Sequence, residues 1–585
     1  MRWFWIFGLK SNVIPHSIET LLFPMNKLFC RDLPLMSGYS TSTADHWRHY
    51  FLLDAEAKVK EPALLAQEIR LNRSTDPDPG PLPVAAQWPL VPDSELESII
   101  QHQLQLAQGA TQSFRAVPLA VRVELLRSYG RRLRENLEYW RQLTIQESYA
   151  YNAFLGSLEA ILEIFQPSYL DMIQEWLSPT PRFGTAARIE HVPQGVFGVI
   201  SPQNSSFPML TQILHGAVLS ANAVIVKPPH RLAIVALALV QDMNEFLQEC
   251  GMPEGLISSL VYPNATTVME HWLGLHGGPA KIDNLIFIGN SARREQILSL
   301  CHQGGIFNPI IELEGVDAAY VHHDLNAMDL QRAAQLIAHA KNLAAGQMCI
   351  SLKRLYVHAD IVDLFLHELA QAFQRYHPGS LLADDPYILG PSAWAAKLPQ
   401  ILENFESEGA RVRWGGRRLN YWGQPDSQGG YIEPTLIDHV APDSPLLKQE
   451  IFANILPIVR VTGNIDQVVN YINDCPFGIR TSIFAQDPQA IQTLTDTLRV
   501  GTLVINGNPL DCSIQIAGGR GQTTLDQNAR IWPLDMSLRR VVTGGQNVHT
   551  LQEILHRSPP PRALISDPGG QPGSKPHASR QEQVV

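Results

Sequence analysis

The chain has 585 residues, 45% hydrophobic and 17% charged, with a net charge of −11. That length exceeds what one hydrophobic core fills and predicts two to four domains. The negative balance gives no general attraction to nucleic acid or anionic lipid, and neither is expected as a partner.

The opening MRWFWIFGLK is a short apolar run that Lys10 ends far below the roughly 20 residues of a membrane helix. No clear cleavage site follows, and no membrane span is expected elsewhere. Residues 1–36 carry no motif and read as a loose, dispensable extension, or as sequence ahead of a start at Met36. Residues 74–93 are rich in Pro and Asp and read as a linker or extended arm, so 1–93 is set apart as extension and linker. From Ser94 to about Trp176, apolar residues recur at three- and four-residue spacing, which predicts helices.

Around Ile189 short apolar runs begin to alternate with helical segments: VFGVISP (196–202), a helix to about Leu219, AVIVKPP (223–229), a helix near 231–249, LISSLVYP (256–263) and NLIFIGN (284–290). This alternation predicts a parallel sheet covered on both faces, with ligands at the carboxyl ends of its strands. The residues to watch there are Asn204, Lys227, Gly289 and Asn290. A second α/β block is expected from Ile310. It runs through IIELEGVDAAYV (310–321), a helix over 329–344, the loop around Cys349, the strand LKRLYVHA, a helix over 361–375, and strands near 410–414, 455–461 and 502–506. The tail from Ser558 is rich in Pro, Gly and Ser and is expected to be disordered.

Six cysteines (Cys30, Cys250, Cys301, Cys349, Cys475 and Cys512) are scattered without a C-x-x-C pair. That is poor material for disulfides or zinc, and it fits a reducing, cytoplasmic location. His322, His323 and Asp324 have ligand side chains but no spaced partner, so no metal is expected. Taken alone, Cys349 in LAAGQMCISLKRLYV reads as a small buried residue.

Motif order changes that reading. VISPQNSSFP, VIVKPPH, LIFIGNS, IIELEG, AAGQMC and QEIFANILP occur in sequence between Val199 and Pro457. Each resembles, in the same order, a motif of the aldehyde dehydrogenase superfamily. The 23-residue interval from Asn204 to Lys227 matches that family's, and the interval from Glu312 to Cys349 is longer by a few residues. The resemblance implies an α/β protein with a Rossmann-type cofactor domain over 94–309 and part of an oligomerisation flap near 181–198. A catalytic domain over 310–505 and a C-terminal oligomerisation segment over 506–557 complete it, with assembly as a homodimer or homotetramer.

It also implies a chemistry: an aldehyde substrate, NAD or NADP as cofactor, and oxidation to a carboxylic acid. Cys349 matches the nucleophile, which forms a thiohemiacetal and then a thioester. Asn204 and the Cys349 backbone N–H match the oxyanion donors, and Glu312 matches the base that activates water. Lys227 matches the ligand of the adenosine ribose, Gly289 and Asn290 the helix start facing the pyrophosphate, and Glu450 and Phe452 the pair at the nicotinamide ribose and ring. Pro202 and Gln203 lie beside the site by the same match, and Asn473 and Phe477 on a nearby loop.

The chain departs from the family at Arg294 and Glu314, which replace glycines, and at Ala453 and Asn454, which replace Gly-Pro. SIQIAGGRG lacks the family's aromatic residue in the substrate funnel. His230, with Arg231 beside it, stands where NAD-preferring members carry a carboxylate. That removes a charge repelling a 2′-phosphate, so NADP is expected to serve at least as well as NAD. Two other readings stay open: a CoA-acylating enzyme, against which Glu312 argues, and a catalytically weak scaffold, which the altered cofactor loops favour.

Overall fold

The computed structural model describes residues 47–53, 57–58, 84–89, 91–147, 158, 161–182, 187–230, 233–379, 385–511, 518–524 and 532–543. Arg231, most of the SIQIAGGRG funnel segment and the tail from 544 lie outside the described residues, as does the run 1–46. The chain divides into two compact units, Met1–Ser178 with His191–Arg539 and Pro179–Glu190 with Arg540–Val585.

The two largest sheets among the described residues lie in the larger unit. The first has five strands: β1 (Val196–Ile200), β2 (Ala223–Lys227), β3 (Ile257–Ser259), β4 (Asn284–Ile288) and β5 (Ile310–Glu312). All are parallel, in the order β5-β4-β1-β2-β3. Every residue of β1 and β2 is buried, as expected of strands covered on both faces. The order reverses between β1 and β4, and the crevice beyond the carboxyl ends of those strands is where such sheets take ligands.

The covering helix Ser206–Ser220 is buried almost all round. Its hydroxyls return to its own backbone, Thr211 Oγ1 to Phe207 O at 2.6 Å and Ser220 Oγ to Gly216 O at 2.6 Å. Asn264 caps the helix Ala265–Trp272 by accepting the N–H groups of Thr266 and Thr267.

The second sheet has seven strands: β6 (Asp317–Val321), β7 (Leu352–His358), β8 (Arg411–Trp414), β9 (Thr435–Asp438), β10 (Ile455–Val461), β11 (Arg480–Phe484) and β12 (Thr502–Ile505). Their order is β8-β9-β10-β7-β6-β11-β12, parallel except for the edge pair β8–β9.

Two expected boundaries move. IIELEGVDAAYV is two strands: Ile310 pairs with Ile286 in the first sheet, whereas Ala318 pairs with Arg354 and Thr481 in the second. The second block therefore opens at Asp317, not Ile310. The break falls at Gly315, where a Cβ would sit 2.3 Å from Cys349 O, so only glycine passes. The span near 181–198 does not stay together either, because Val196–Ile200 is a strand of the first sheet. Within the run 1–93, Trp47–Leu53 and Val84–Pro89 pair antiparallel, with Trp47 opposite Pro89.

In the smaller unit Thr180 pairs with Ile189 in an antiparallel turn of sheet. Glu190 there accepts from Arg188 Nε and Arg540 Nη2, each at 2.6 Å.

Candidate active site

The helix Ala327–Asn342 is capped by Asn326, whose side chain accepts the Asp329 N–H at 3.0 Å. It ends in a loop that leads into β7 and carries Cys349. Ala344, Ala345 and Gly346 all take left-handed φ, at 51°, 54° and 73°. For alanine that conformation costs about 1–2 kcal/mol per residue. At Gly346 the lack of a side chain is obligatory, since a Cβ would meet Ala453 O at 2.4 Å.

The surroundings hold this strained turn. Gln347 Nε2 donates to Pro391 O at 3.0 Å, and its Oε1 accepts the Ala393 N–H at 3.0 Å. Lys353, 2% exposed, donates from Nζ to Met348 O at 2.6 Å, Ser351 O at 3.0 Å and Cys349 O at 3.3 Å. Loop geometry at functional positions is a common place for such strain.

Two further elements converge on the loop. Asn204, just beyond β1, donates from Nδ2 to Gln347 O at 3.1 Å. Glu312 ends β5, is 3% exposed, and accepts the Gly518 N–H at Oε2 at 2.9 Å. Burial pushes the half-buried Cys349 thiol up to about 12; Glu450 adds to this, Lys353 opposes it, and Asp317 and Glu312 add further. The thiol therefore rests protonated.

The positions matched to a dinucleotide lie on the same carboxyl-end side. Lys227 ends β2 at 4% exposed and donates to Pro228 O at 3.0 Å. Burial lowers its ammonium to about 8. His230 follows, half-buried, with Pro202 buried and Gln203 exposed after β1. Gly289 and Asn290 are exposed beyond β4. Asn290 Oδ1 accepts the Ala292 N–H at 2.8 Å and so caps the short turn Ser291–Arg293, which leads into the helix Arg294–Gln303. The Ser291 N–H donates to Glu314 Oε2 at 2.9 Å.

Glu450 accepts the Gly315 N–H at 3.3 Å and faces Lys353 Nζ at 3.6 Å. Burial pushes it up to about 7, with Lys353 opposing and Glu314 adding. Phe452 is half-buried, its ring centre 5.7 Å from Lys353 Nζ. A buried ammonium at one end and a carboxylate with an aromatic face at the other suit the two riboses and the ring of a dinucleotide. The helix start between them is different, because both of its leading N–H groups already have protein acceptors.

Some residues matter more than the sequence suggested. Lys353 was visible only as a lysine inside the strand-like LKRLYVHA, yet it braces the whole Cys349 loop. Glu314 was visible as a departure, but its bond to Ser291 was not. Conversely, Asn473 serves a local tether, with Nδ2 on Thr497 O at 3.0 Å and Oδ1 accepting the Arg499 N–H at 2.8 Å. Phe477 pairs with Gly521 in a two-stranded ladder. His322 Nδ1 lies 3.1 Å from Asp324 Oδ1, and Asp324 Oδ2 accepts the Gln486 N–H at 2.9 Å, which ties two loops together. Among the described residues no group of three ligand-type side chains could hold a metal ion, and no helix is long and apolar enough to cross a membrane.

The model of the Aldehyde dehydrogenase family matches residues 85–539. A 3-sulfolactaldehyde dehydrogenase of Priestia aryabhattai is 28% identical over 318 residues, which span 54% of this chain but only 61% of that protein's length. A probable NADP(+) succinate-semialdehyde dehydrogenase of Synechocystis sp. is 28% identical over 425 residues, 70% of this chain and 86% of that one. The crystal structure of an E. coli NADP dependent enzyme superimposes with a TM-score of 0.69 at 22% identity, covering 80% of this chain and 94% of that one. That likeness is one of fold.

Proposed function

Because the chain belongs to the aldehyde dehydrogenase family, we propose that it oxidises an aldehyde to a carboxylic acid with NAD+ or NADP+. The observation that carries this reading is the convergence of Asn204 and Glu312 on the strained Cys349 loop. Cys349 gives up its proton to solvent and its sulfur attacks the aldehyde carbon. The resulting oxyanion takes hydrogen bonds from the Cys349 N–H and from the Asn204 amide, which has a second N–H beside the one on Gln347. NAD(P)+, when bound, would supply the hydride acceptor. Collapse of the oxyanion with loss of hydride leaves a thioester on Cys349. Glu312 then takes a proton from the attacking water, the C–S bond breaks, and carboxylic acid and free cysteine result. A carboxylate in that place favours water over CoA as acyl acceptor.

Lys227 and His230 would hold the adenosine end of the cofactor, and Glu450 and Phe452 the nicotinamide end. Pro202 would wall the crevice, and Gly289 with Asn290 would present the helix start. Strand Ser537–Thr543 carries exposed Leu538 and Val541, which supports a further proposal of homodimer or homotetramer formation. The free state of Cys250, Cys301, Cys349 and Cys475 supports a reducing, cytoplasmic setting. The direct test is a panel of hydroxylated, aliphatic, aromatic and semialdehyde substrates with each cofactor, followed by NAD(P)H absorbance. Turnover of none of them would defeat the reading.

Two outcomes follow for the cofactor. Glu450 loses its charge below about 7, and Lys227, a cation only below about 8, loses its charge above that value. Affinity for NAD(P)+ is therefore expected to peak between these values and fall on both sides. Titrations across pH should show the acid limb vanish in Glu450→Gln and the alkaline limb vanish in Lys227→Met. A flat profile in the parent contradicts both assignments. For cofactor choice, the ratio of kcat/KM for NADP+ over NAD+ should be at least about one and should drop in His230→Glu, whose added carboxylate repels a 2′-phosphate. A parent that strongly prefers NAD+ contradicts the role given to His230.

A further inference from the structure

We propose that Glu314 competes internally with the cofactor's diphosphate, so that a nucleotide docks fully only when this carboxylate leaves the Ser291 N–H. The inference rests on the dehydrogenase reading above and adds a brake to it. Helix starts bind phosphates through unsatisfied N–H groups and the positive end of the dipole. Here the first of those donors, on Ser291, is held by Glu314 Oε2 at 2.9 Å, and the next, on Ala292, by Asn290 Oδ1 at 2.8 Å.

Asn290 is an ordinary neutral cap, whereas Glu314 brings a negative charge from another element into the place of an anion. It is only 9% exposed, so water screens that charge weakly. Glu450 experiences the same charge, which helps to push it up.

The main chain cannot relieve the conflict. Leu313 N–H donates to Thr523 O at 2.9 Å, Glu314 O accepts from Thr523 Oγ1 at 3.1 Å, and Gly315 N–H donates to Glu450. Only the Glu314 side chain is left to swing. Arg293, at the same turn, has Nη1 on Gln296 Oε1 at 3.1 Å rather than on Glu314.

The test uses calorimetric titration of the full chain and of Glu314→Gly and Glu314→Gln, with two probes. ADP-ribose carries the diphosphate without the nicotinamide, and adenosine carries neither. Glu314→Gly should bind ADP-ribose about tenfold more tightly than the parent, or better, through loss of the opposing charge. Glu314→Gln keeps the shape and an oxygen for Ser291. It should gain less, and it carries the test if the glycine variant does not fold. Adenosine affinity should be the same in all three.

Equal ADP-ribose affinity in parent and both variants overturns the role of Glu314 while leaving the dehydrogenase reading intact. An equal gain for adenosine also overturns it, because the substitution would then have opened the crevice generally. Failure of all three proteins to bind ADP-ribose, NAD+ or NADP+ instead overturns the reading on which the inference rests.

Discussion

Replacing Cys349 with alanine should lower kcat for aldehyde oxidation by at least about 10³-fold, because the covalent route through its sulfur is lost. Nucleotide affinity should stay within about twofold of the parent, since the thiol acts in chemistry and not in docking. The split between those two readouts is what distinguishes a nucleophile from a structural cysteine. Cys349 lies on a loop that Lys353 braces through three carbonyls, one of them that of Cys349 itself, and alanine leaves those backbone acceptors in place. Loss of both activity and nucleotide binding would mean that the loop had collapsed. A variant keeping more than a few per cent of the rate, relative to the covalent pathway's expected loss, would remove Cys349 from the mechanism.

The second large effect belongs to Glu312. Glu312→Gln keeps the side chain's size and an oxygen for the Gly518 N–H, so the local structure should survive. It removes the base for water. The first turnover should therefore proceed, giving a burst of NAD(P)H close to one equivalent of sites, followed by steady turnover slower than the parent's by about 10²–10⁴-fold. The opposite pattern, with burst and steady rate reduced together, would assign Glu312 to attack or hydride loss. The charge acts on Cys349 as well, for Glu312 is one of the groups that raise the thiol. Removing it should ease thiolate formation, which favours the burst.

How much of this was legible in the sequence depends on the kind of information. The two parallel sheets were, because continuous apolar runs such as AVIVK can only be covered on both faces. The strands Thr435–Asp438 and Arg480–Phe484 were not. The first is only four residues long, and the second opens with a buried arginine that breaks the apolar run. Arg480 is tolerable there because its Nη1 donates to Pro509 O at 2.9 Å and to Asp511 O at 2.8 Å.

The break inside IIELEGVDAAYV was hidden for a different reason. Glu314, Gly315 and Asp317 weaken the strand pattern there, but the partner strand on each side and the close approach of Cys349 O to Gly315 are tertiary facts. The candidate site was readable as motif types in order, through Asn204, Lys227, Glu312, Cys349 and Glu450. Its electrostatics were not. Whether Glu314 faces water or the Ser291 N–H is a tertiary fact, as is the burial of Lys353 beneath the loop.

Passage of an acyl group through the sulfur of Cys349 leaves a covalent adduct that mass spectrometry can read. Glu312→Gln, mixed with a turned-over aldehyde and NAD(P)+ and quenched in acid during steady turnover, is digested and its peptides weighed. The peptide containing Cys349 should carry the added mass of the acyl group, hydroxylamine should remove it, and the adduct should be absent without cofactor. An unmodified Cys349 peptide while NAD(P)H accumulates, or the acyl mass on any other residue, would contradict it.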